Sequence, residues 1–366
     1  MKRLVLLGGG HAHVHVLREL ARAPLPGTEV LLVTPFERQL YSGMVPGLVA
    51  GHYTLEQCVI PLVPLAQAAG VRWLQGSADG LDAAARTVHL AGGQQAEFDL
   101  LSIDTGSVME RDLVPGAREH ALFVRPMEHF VALLDRLWAL AAQQPLNLAV
   151  VGGGAAGVEL ALAFQHRLGE AARVSLVTGG LPPLAGYPAP VMARAAAVLR
   201  RRRITVLPDA CRAIEPGQVL LGSGARLACD VPVLAIGSSA PRWLAGSGLA
   251  LCERGFVLTG PTLQSTSHPA VLAAGDVATR SDVAHPRSGV YAVRAGPPLA
   301  ANLRALVAGT PPQPHVPQQR TLNLVSCGRK EAIASWGPHS AQGRWVWWWK
   351  DHIDRAFVDR YRQRPG

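Results

Sequence analysis

Two glycine runs are the first places in the chain where chemistry can be read. Gly8-Gly9-Gly10 follows the apolar stretch Leu4 to Leu7, and Gly152-Gly153-Gly154-Ala155-Ala156-Gly157 follows Leu148 to Val151. Each apolar stretch reads as a strand and each turn as the opening of a helix. A glycine turn in that setting lets a diphosphate approach the backbone, where free N–H groups and the helix dipole offset its charge. One such turn is a weak signal. Two in one chain imply two dinucleotides, which points to flavin chemistry. The imidazoles of His11, His13 and His15 alternate in a way that invites a metal site. Helical positions two apart face different directions, so no metal is expected. The five cysteines, Cys58, Cys211, Cys229, Cys252 and Cys327, show no CxxC or metal-ligand spacing, which fits a reducing, cytoplasmic setting.

The elements that must hold these turns follow from the pattern around them. The first strand and its helix occupy about residues 3 to 23, ending before Pro24 and Pro26. A β-rich run, Thr28 to Thr34, ends at Pro35, and Tyr41 to Gly47 reads as a loop with an exposed aromatic. Short strands around Gly92-Gly93 lead to Leu100-Leu101-Ser102-Ile103-Asp104-Thr105-Gly106-Ser107. The second turn continues through a strand at 173 to 178, a helix near 189 to 203 and a strand near 204 to 207, and closes at Val231 to Ser238. Both halves thus end in an apolar strand followed by Gly-Ser, as an internal duplication would. Val271 to Asp276 is a further buried strand ending in Gly-Asp, and a helix follows at about 290 to 308. The fold class expected is α/β, with two Rossmann-like dinucleotide-binding domains and a small C-terminal α+β segment, a strand pair and a Trp-rich helix. The corresponding division is 1–117 with 245–310, then 118–244, then 311–366.

A length of 366 residues exceeds what one core usually supports. No apolar stretch reaches the roughly 20 residues of a membrane span, and the start Met1-Lys2-Arg3 runs into a strand rather than a signal peptide. The net charge of +9 is carried almost wholly by arginine, lysine standing only at Lys2, Lys330 and Lys350. Arg200-Arg201-Arg202-Arg203 reads as a solvated helix end, and the tail adds Arg355, Arg360, Arg362 and Arg364. Nucleic acid is not an expected partner.

The ordered motifs resemble the two-dinucleotide flavoproteins of the pyridine nucleotide-disulfide oxidoreductase superfamily over essentially the whole chain. Gly8 to His15, Tyr41 to Tyr53 and Ser288 to Leu303 look closest to the flavoprotein module found fused to selenide, water dikinase, a relative of type II NADH dehydrogenases. The chain ends before any kinase segment, so no phosphotransfer is expected. The resemblance implies FAD diphosphate over Gly8, Gly10, His11 and Ala12, with Thr34, Pro35, Thr105 and Gly106 along the same cofactor. Asp276 after Gly275 would take the ribityl chain, and the helix amides near Tyr291 and Ala292 would face the flavin pyrimidine edge. His13 replaces the third glycine of the motif, so the helix must tilt or the imidazole point away. NADH or NADPH is implied at Gly152, Gly154, Gly157, Glu159, Thr178 and Gly237, with poor discrimination, because Thr178 stands where an acid would bind the ribose.

Chemistry is then carried by the cofactors, with Glu159 and Tyr41 as the candidate catalytic side chains. Tyr41 either stacks near the flavin or packs the core. The lysine that pairs with such a glutamate in dithiol relatives has no candidate, since none of the three lysines falls near the flavin-side loop. The CxxxxC pair of those relatives is absent too. Cys327 lacks a partner at the second turn, so direct transfer to a small acceptor without a cysteine relay is expected. Residues 292 to 296 lack the glutamines usual in the quinone-reducing branch, leaving a quinone as one acceptor among several. Sulfide or selenide chemistry, or a flavin-bound sensor with little turnover, are the alternatives. In the tail, a helix puts Trp345, Trp349, His352, Ile353 and Ala356 on one face, which packs against the flavin domain or makes peripheral membrane contact; packing is favoured. Monomer and homodimer both remain open.

Overall fold

The computed structural model describes residues 1–362; Arg364 lies outside them. The first parallel sheet takes β1 (Lys2–Leu7), β2 (Thr28–Thr34), β3 (Arg72–Gln75) and β4 (Leu100–Ile103). A second is built from β5 (Leu122–Phe123), β6 (Leu146–Val151), β7 (Ala172–Val177), β8 (Thr205–Leu207) and β9 (Val231–Leu234). The chain then returns to the first sheet with β10 (Val271–Ala273), giving the orders β10-β4-β1-β2-β3 and β5-β9-β6-β7-β8.

Apolar runs are continuous in these strands because both faces of each parallel sheet are covered. Side chains alternate between faces. Leu4, Leu6 and Leu32 therefore join one core with α1 (His11–Arg22), while Val5, Leu7 and Val33 join another under the antiparallel strands of residues 78–97. The first core runs on without a break through the second sheet and its helix α2 (Ala155–Leu168). Beside α1 lies α3 (Gly289–Ala308), where Gly296 meets the side chain of His15 so closely that a Cβ would have to displace it.

The two glycine turns are built alike. The amides of Gly8 and Gly152 donate to Val33 and Val177, each at 2.8 Å, and the amides of Asp104 and Ala235 donate to Leu7 and Val151, again at 2.8 Å. With φ of +98° and +130°, Gly8 and Gly152 press against the carbonyls of Asp104 and Ala235, where a Cβ would collide. They differ at the third position. Gly157 lies so near the Gly152 carbonyl that no side chain fits. His13 does not point outward. Its imidazole is fully buried, Nδ1 2.6 Å from the Gly8 carbonyl and Nε2 2.8 Å from Ser102 Oγ, so it ties α1 to β1 and β4.

Three antiparallel strands rather than two close the chain, β11 (Leu322–Cys327), β12 (Arg329–Trp336) and β13 (His339–Gly343), followed by α4 (Arg344–Arg362). The expected packing face of α4 is corrected. Trp345, Trp348, Trp349 and Ile353 are 55%, 58%, 42% and 37% exposed, while Val346, Trp347, Lys350, Asp354, Phe357, Val358 and Tyr361 are buried. The arginine run is not simply solvated either. Arg201 and Arg202 pair with Glu331 of β12 at 2.7 and 3.5 Å.

Burial holds His13 and His11 in their neutral forms, each lowered to about 4, against about 6.5 in an unfolded chain. The contribution of these two imidazoles is complete above pH 6.5 and falls as the pH drops toward 4, because the unfolded chain takes up protons that the fold excludes. Each group contributes on the order of 3 kcal/mol to that loss. In thermal melts between pH 4.5 and 8, a His13→Gln variant should lose less stability toward acid than the wild type, by up to about 3 kcal/mol. An unchanged slope would show that the imidazole titrates freely in the fold.

Candidate active site

The first turn is a glycine cradle closed by the carboxyl of Asp104. Gly10 precedes α1 in extended backbone with no side-chain cap, and Gly275, at φ +72°, closes in from the end of β10. A Cβ on either would meet the carboxyl of Asp104. Ala12 is buried, whereas His11 is partly open, its Nδ1 3.0 Å from Gln39 Nε2 and its ring stacked on Phe357 at 6.0 Å. Thr105 is exposed, and Gly106 (φ +72°) faces open space. Asp276 pairs with Arg125 at 3.2 Å, and Arg125 also donates to Ser107. Thr34 is turned inward, its hydroxyl 3.4 Å from the Phe36 amide, while Pro35 is exposed. The expected use of the α3 amides needs correction. Those of Tyr291 and Ala292 already donate to Ser288 O at 3.0 and 3.2 Å, so Gly289 and Val290 stand at the free helix end. The Tyr291 ring stacks on His285 at 4.8 Å and its hydroxyl donates to Gln318 O.

At the second turn, Gly154 leads into α2 with nothing near a Cβ, and Gly179, Gly180 and Gly237 also border open space. Thr178 is buried, its hydroxyl donating to Leu207 O at 3.4 Å. The mouth of this turn is lined by backbone.

Between the two turns lies a buried group of charges that sequence reasoning did not assemble. Lys350 of α4 donates to Gly43 O at 2.7 Å and to Asp354 Oδ2 at 2.6 Å, and both side chains are more than nine-tenths covered. A lysine does therefore stand at the flavin-side segment, against the expectation. Glu159 accepts the Ser326 amide at 2.7 Å, and burial lifts its carboxyl to about 7, with Lys350 and that amide acting against the rise. Asp354 is likewise raised by burial against the pull of Lys350. Tyr41 is not on an exposed loop. It precedes a short helical turn, packs on Phe357 at 4.5 Å, and has its hydroxyl raised by burial and by Asp354. Asp104, Arg125, Lys350 and Asp354 are the site residues missing from the motif reading. Only the four-residue spacing of Lys350 and Asp354 was a visible signal.

The cysteines are all free, and burial raises Cys327 and pushes Cys58 up to about 12. Among the described residues no group of three or more metal-ligating side chains is present, and no helix is long and apolar enough to cross a membrane.

Two glycine turns, each joining a parallel strand to a helix, are the frame of an α/β oxidoreductase. The chain belongs to the pyridine nucleotide-disulphide oxidoreductase family, whose model matches residues 2–296. It is 27% identical over 293 residues to a demethylphylloquinone reductase of Synechocystis sp., covering 76% of this chain and 72% of the relative. It is 30% identical over 307 residues to an NADH dehydrogenase-like protein of Mycobacterium tuberculosis, covering 78% and 75%. Among solved structures, NDH2 of Plasmodium falciparum in complex with NADH superposes with a TM-score of 0.83 at 12% identity, covering 99% of this chain and 97% of that one. The sulfide:quinone oxidoreductase of Aquifex aeolicus gives 0.82 at 18%, covering 99% and 92%. At those identities the structures speak for the fold.

Lys350→Met removes the cation that holds Glu159 down, so the pH midpoint of nicotinamide-driven dye reduction should move upward from about 7. Leaving Asp354 buried without its partner should also cost roughly 3 kcal/mol in denaturant melts. An unshifted midpoint in a folded variant would separate Lys350 from Glu159.

Proposed function

We propose that this enzyme uses FAD, held by the Gly8 turn and the Gly275-Asp276 turn, to pass hydride from NADH or NADPH to a quinone or another small acceptor without a cysteine relay. The observation that carries the reading is the pair of glycine turns built alike, each at the head of a helix, with the protonatable cluster of Glu159, Lys350 and Asp354 nearby. The first-sheet unit, 1–117 with 245–310, takes FAD, and the unit 118–244 takes the nicotinamide. Bound FAD would supply the two-electron acceptor, and the rest falls to this chain. Backbone amides and dipoles of α1 and α2 hold the diphosphates. Besides the hydride, reduction of a quinone to the quinol takes up one proton. Glu159, lifted to about 7, can hold one at neutral pH, with Lys350, Asp354 and Tyr41 completing the polar path toward α4. The buried, protonated thiols of Cys58 and Cys327 argue against a sulfur relay. With Thr178 buried and no acid in its place, NADH and NADPH are poorly distinguished.

Purified protein should be yellow and should bleach anaerobically with either nicotinamide, then recover on adding a soluble quinone. A Gly10→Val variant should purify colourless, because its side chain would enter the space between the turn and Asp104. Yellow protein that neither nicotinamide bleaches would leave the sensor alternative standing.

The exposed face of α4 supports a second component, peripheral contact with a membrane that stores the quinone. Trp345, Trp348 and Trp349 line it; of the acids on this helix that oppose anionic lipid, Asp354 is buried and Asp351 pairs with Arg355 at 2.8 Å, while Asp359 stays exposed. Co-sedimentation with vesicles containing phosphatidylglycerol should fall at least several-fold when the three tryptophans are changed to serine. Equal binding by that variant would remove the membrane from the proposal.

A further inference from the structure

Asp104 follows β4 and is 2% exposed. Its Oδ2 accepts the amides of Ala12 and His13 at 2.8 and 2.9 Å, the second and third residues of α1. Its Oδ1 has no hydrogen-bond partner among the described residues and lies between Gly10 and Gly275, at 2.6 Å from where a Cβ of Gly275 would stand. Those two glycines wall the groove assigned above to the diphosphate. The duplicated unit provides an internal comparison. Ala235 holds the equivalent place after β9, its amide bonded to Val151 as that of Asp104 is to Leu7, so the fold does not require a carboxyl there.

The charges around this carboxyl make an anion unwelcome. Asp276, on the Gly275 turn, adds negative charge, and Arg125 is committed to Asp276 and Ser107. His13 and His11 on α1 are neutral at pH 7, and α3 presents Ala292 to the Gly275 turn. Burial accordingly raises Asp104 to about 7. A diphosphate beside an ionised carboxylate would be a like-charge pair in a buried setting, whereas a carboxylic acid has an O–H to donate.

We propose that Asp104 binds the FAD diphosphate as a neutral acid, Oδ1–H donating to a phosphate oxygen while Oδ2 keeps the two helix amides, so that binding takes up one proton from solvent. The inference rests on the FAD reading. Its sign follows from the acid form being required. Affinity is complete below the apoprotein value and declines as pH rises through it.

The test is FAD titration of apoprotein between pH 6 and 9, followed by flavin fluorescence and by melting temperature. The wild-type Kd should be flat below pH 7 and rise about tenfold per unit above it. Asp104→Asn should abolish the rise, because its amide donates at every pH and its carbonyl still accepts from Ala12 and His13. A flat wild-type profile, or the same rise in the Asn variant, overturns the proposal. A role confined to capping α1 would instead lower the melting temperature of the apo variant without altering the slope. Absence of FAD binding at every pH would sink the FAD reading itself. Should the variant not fold, calorimetry of the wild type at pH 8 in two buffers of different ionisation enthalpy reads the proton directly. About one per FAD is expected, and none overturns the assignment.

Discussion

Everything in this molecule depends on how closely two glycine turns approach the neighbouring strand. Gly8 and Gly152 each lie against the carbonyl that ends the next strand of their sheet, at positive φ and with no room for a Cβ. That contact aligns α1 and α2 so that their N-termini face the carboxyl ends of the strands, where an α/β sheet opens its crevice. The second core, the α1–α3 contact and the placement of Gly275 all assume this geometry. A side chain at either glycine would push the helix off the sheet.

From that shared plan the two halves diverge, and the divergence carries the chemistry. The second turn keeps its third glycine and presents backbone alone. The first replaces it with His13 and puts Asp104 where Ala235 stands, giving a buried imidazole and a buried carboxyl within one turn of helix. Both are polar groups taken out of water, which is tolerable only because nearly every donor and acceptor finds a partner. The unpartnered carboxyl oxygen faces the cradle.

The C-terminal segment supplies what neither unit has. Its helix α4 has two working faces. The inner one carries Lys350 and Asp354 to the segment around Gly43 and sets the environment of Glu159; the outer one exposes tryptophan. Arg201 and Arg202 hold β12 to the unit of the second sheet through Glu331. A buried ion pair and an exposed aromatic surface thus sit on opposite sides of one helix.

The sequence by itself determined the α/β class, both glycine turns, the parallel strands that feed them and the duplication, because each follows from local periodicity and from glycine's φ freedom. Family membership was legible for the same reason, in motifs whose order is preserved. What only the tertiary structure decided involves residues far apart in the chain. Lys350 meets Gly43 across some three hundred residues, and Asp104 meets Gly275; no spacing rule reports such contacts. The face of α4 was misread because both of its faces bear aromatic residues, so periodicity could not say which one the core would take. His13 was misread because a side chain was assumed not to fit between helix and strand, whereas its ring found two partners there, the Gly8 carbonyl and the Ser102 hydroxyl.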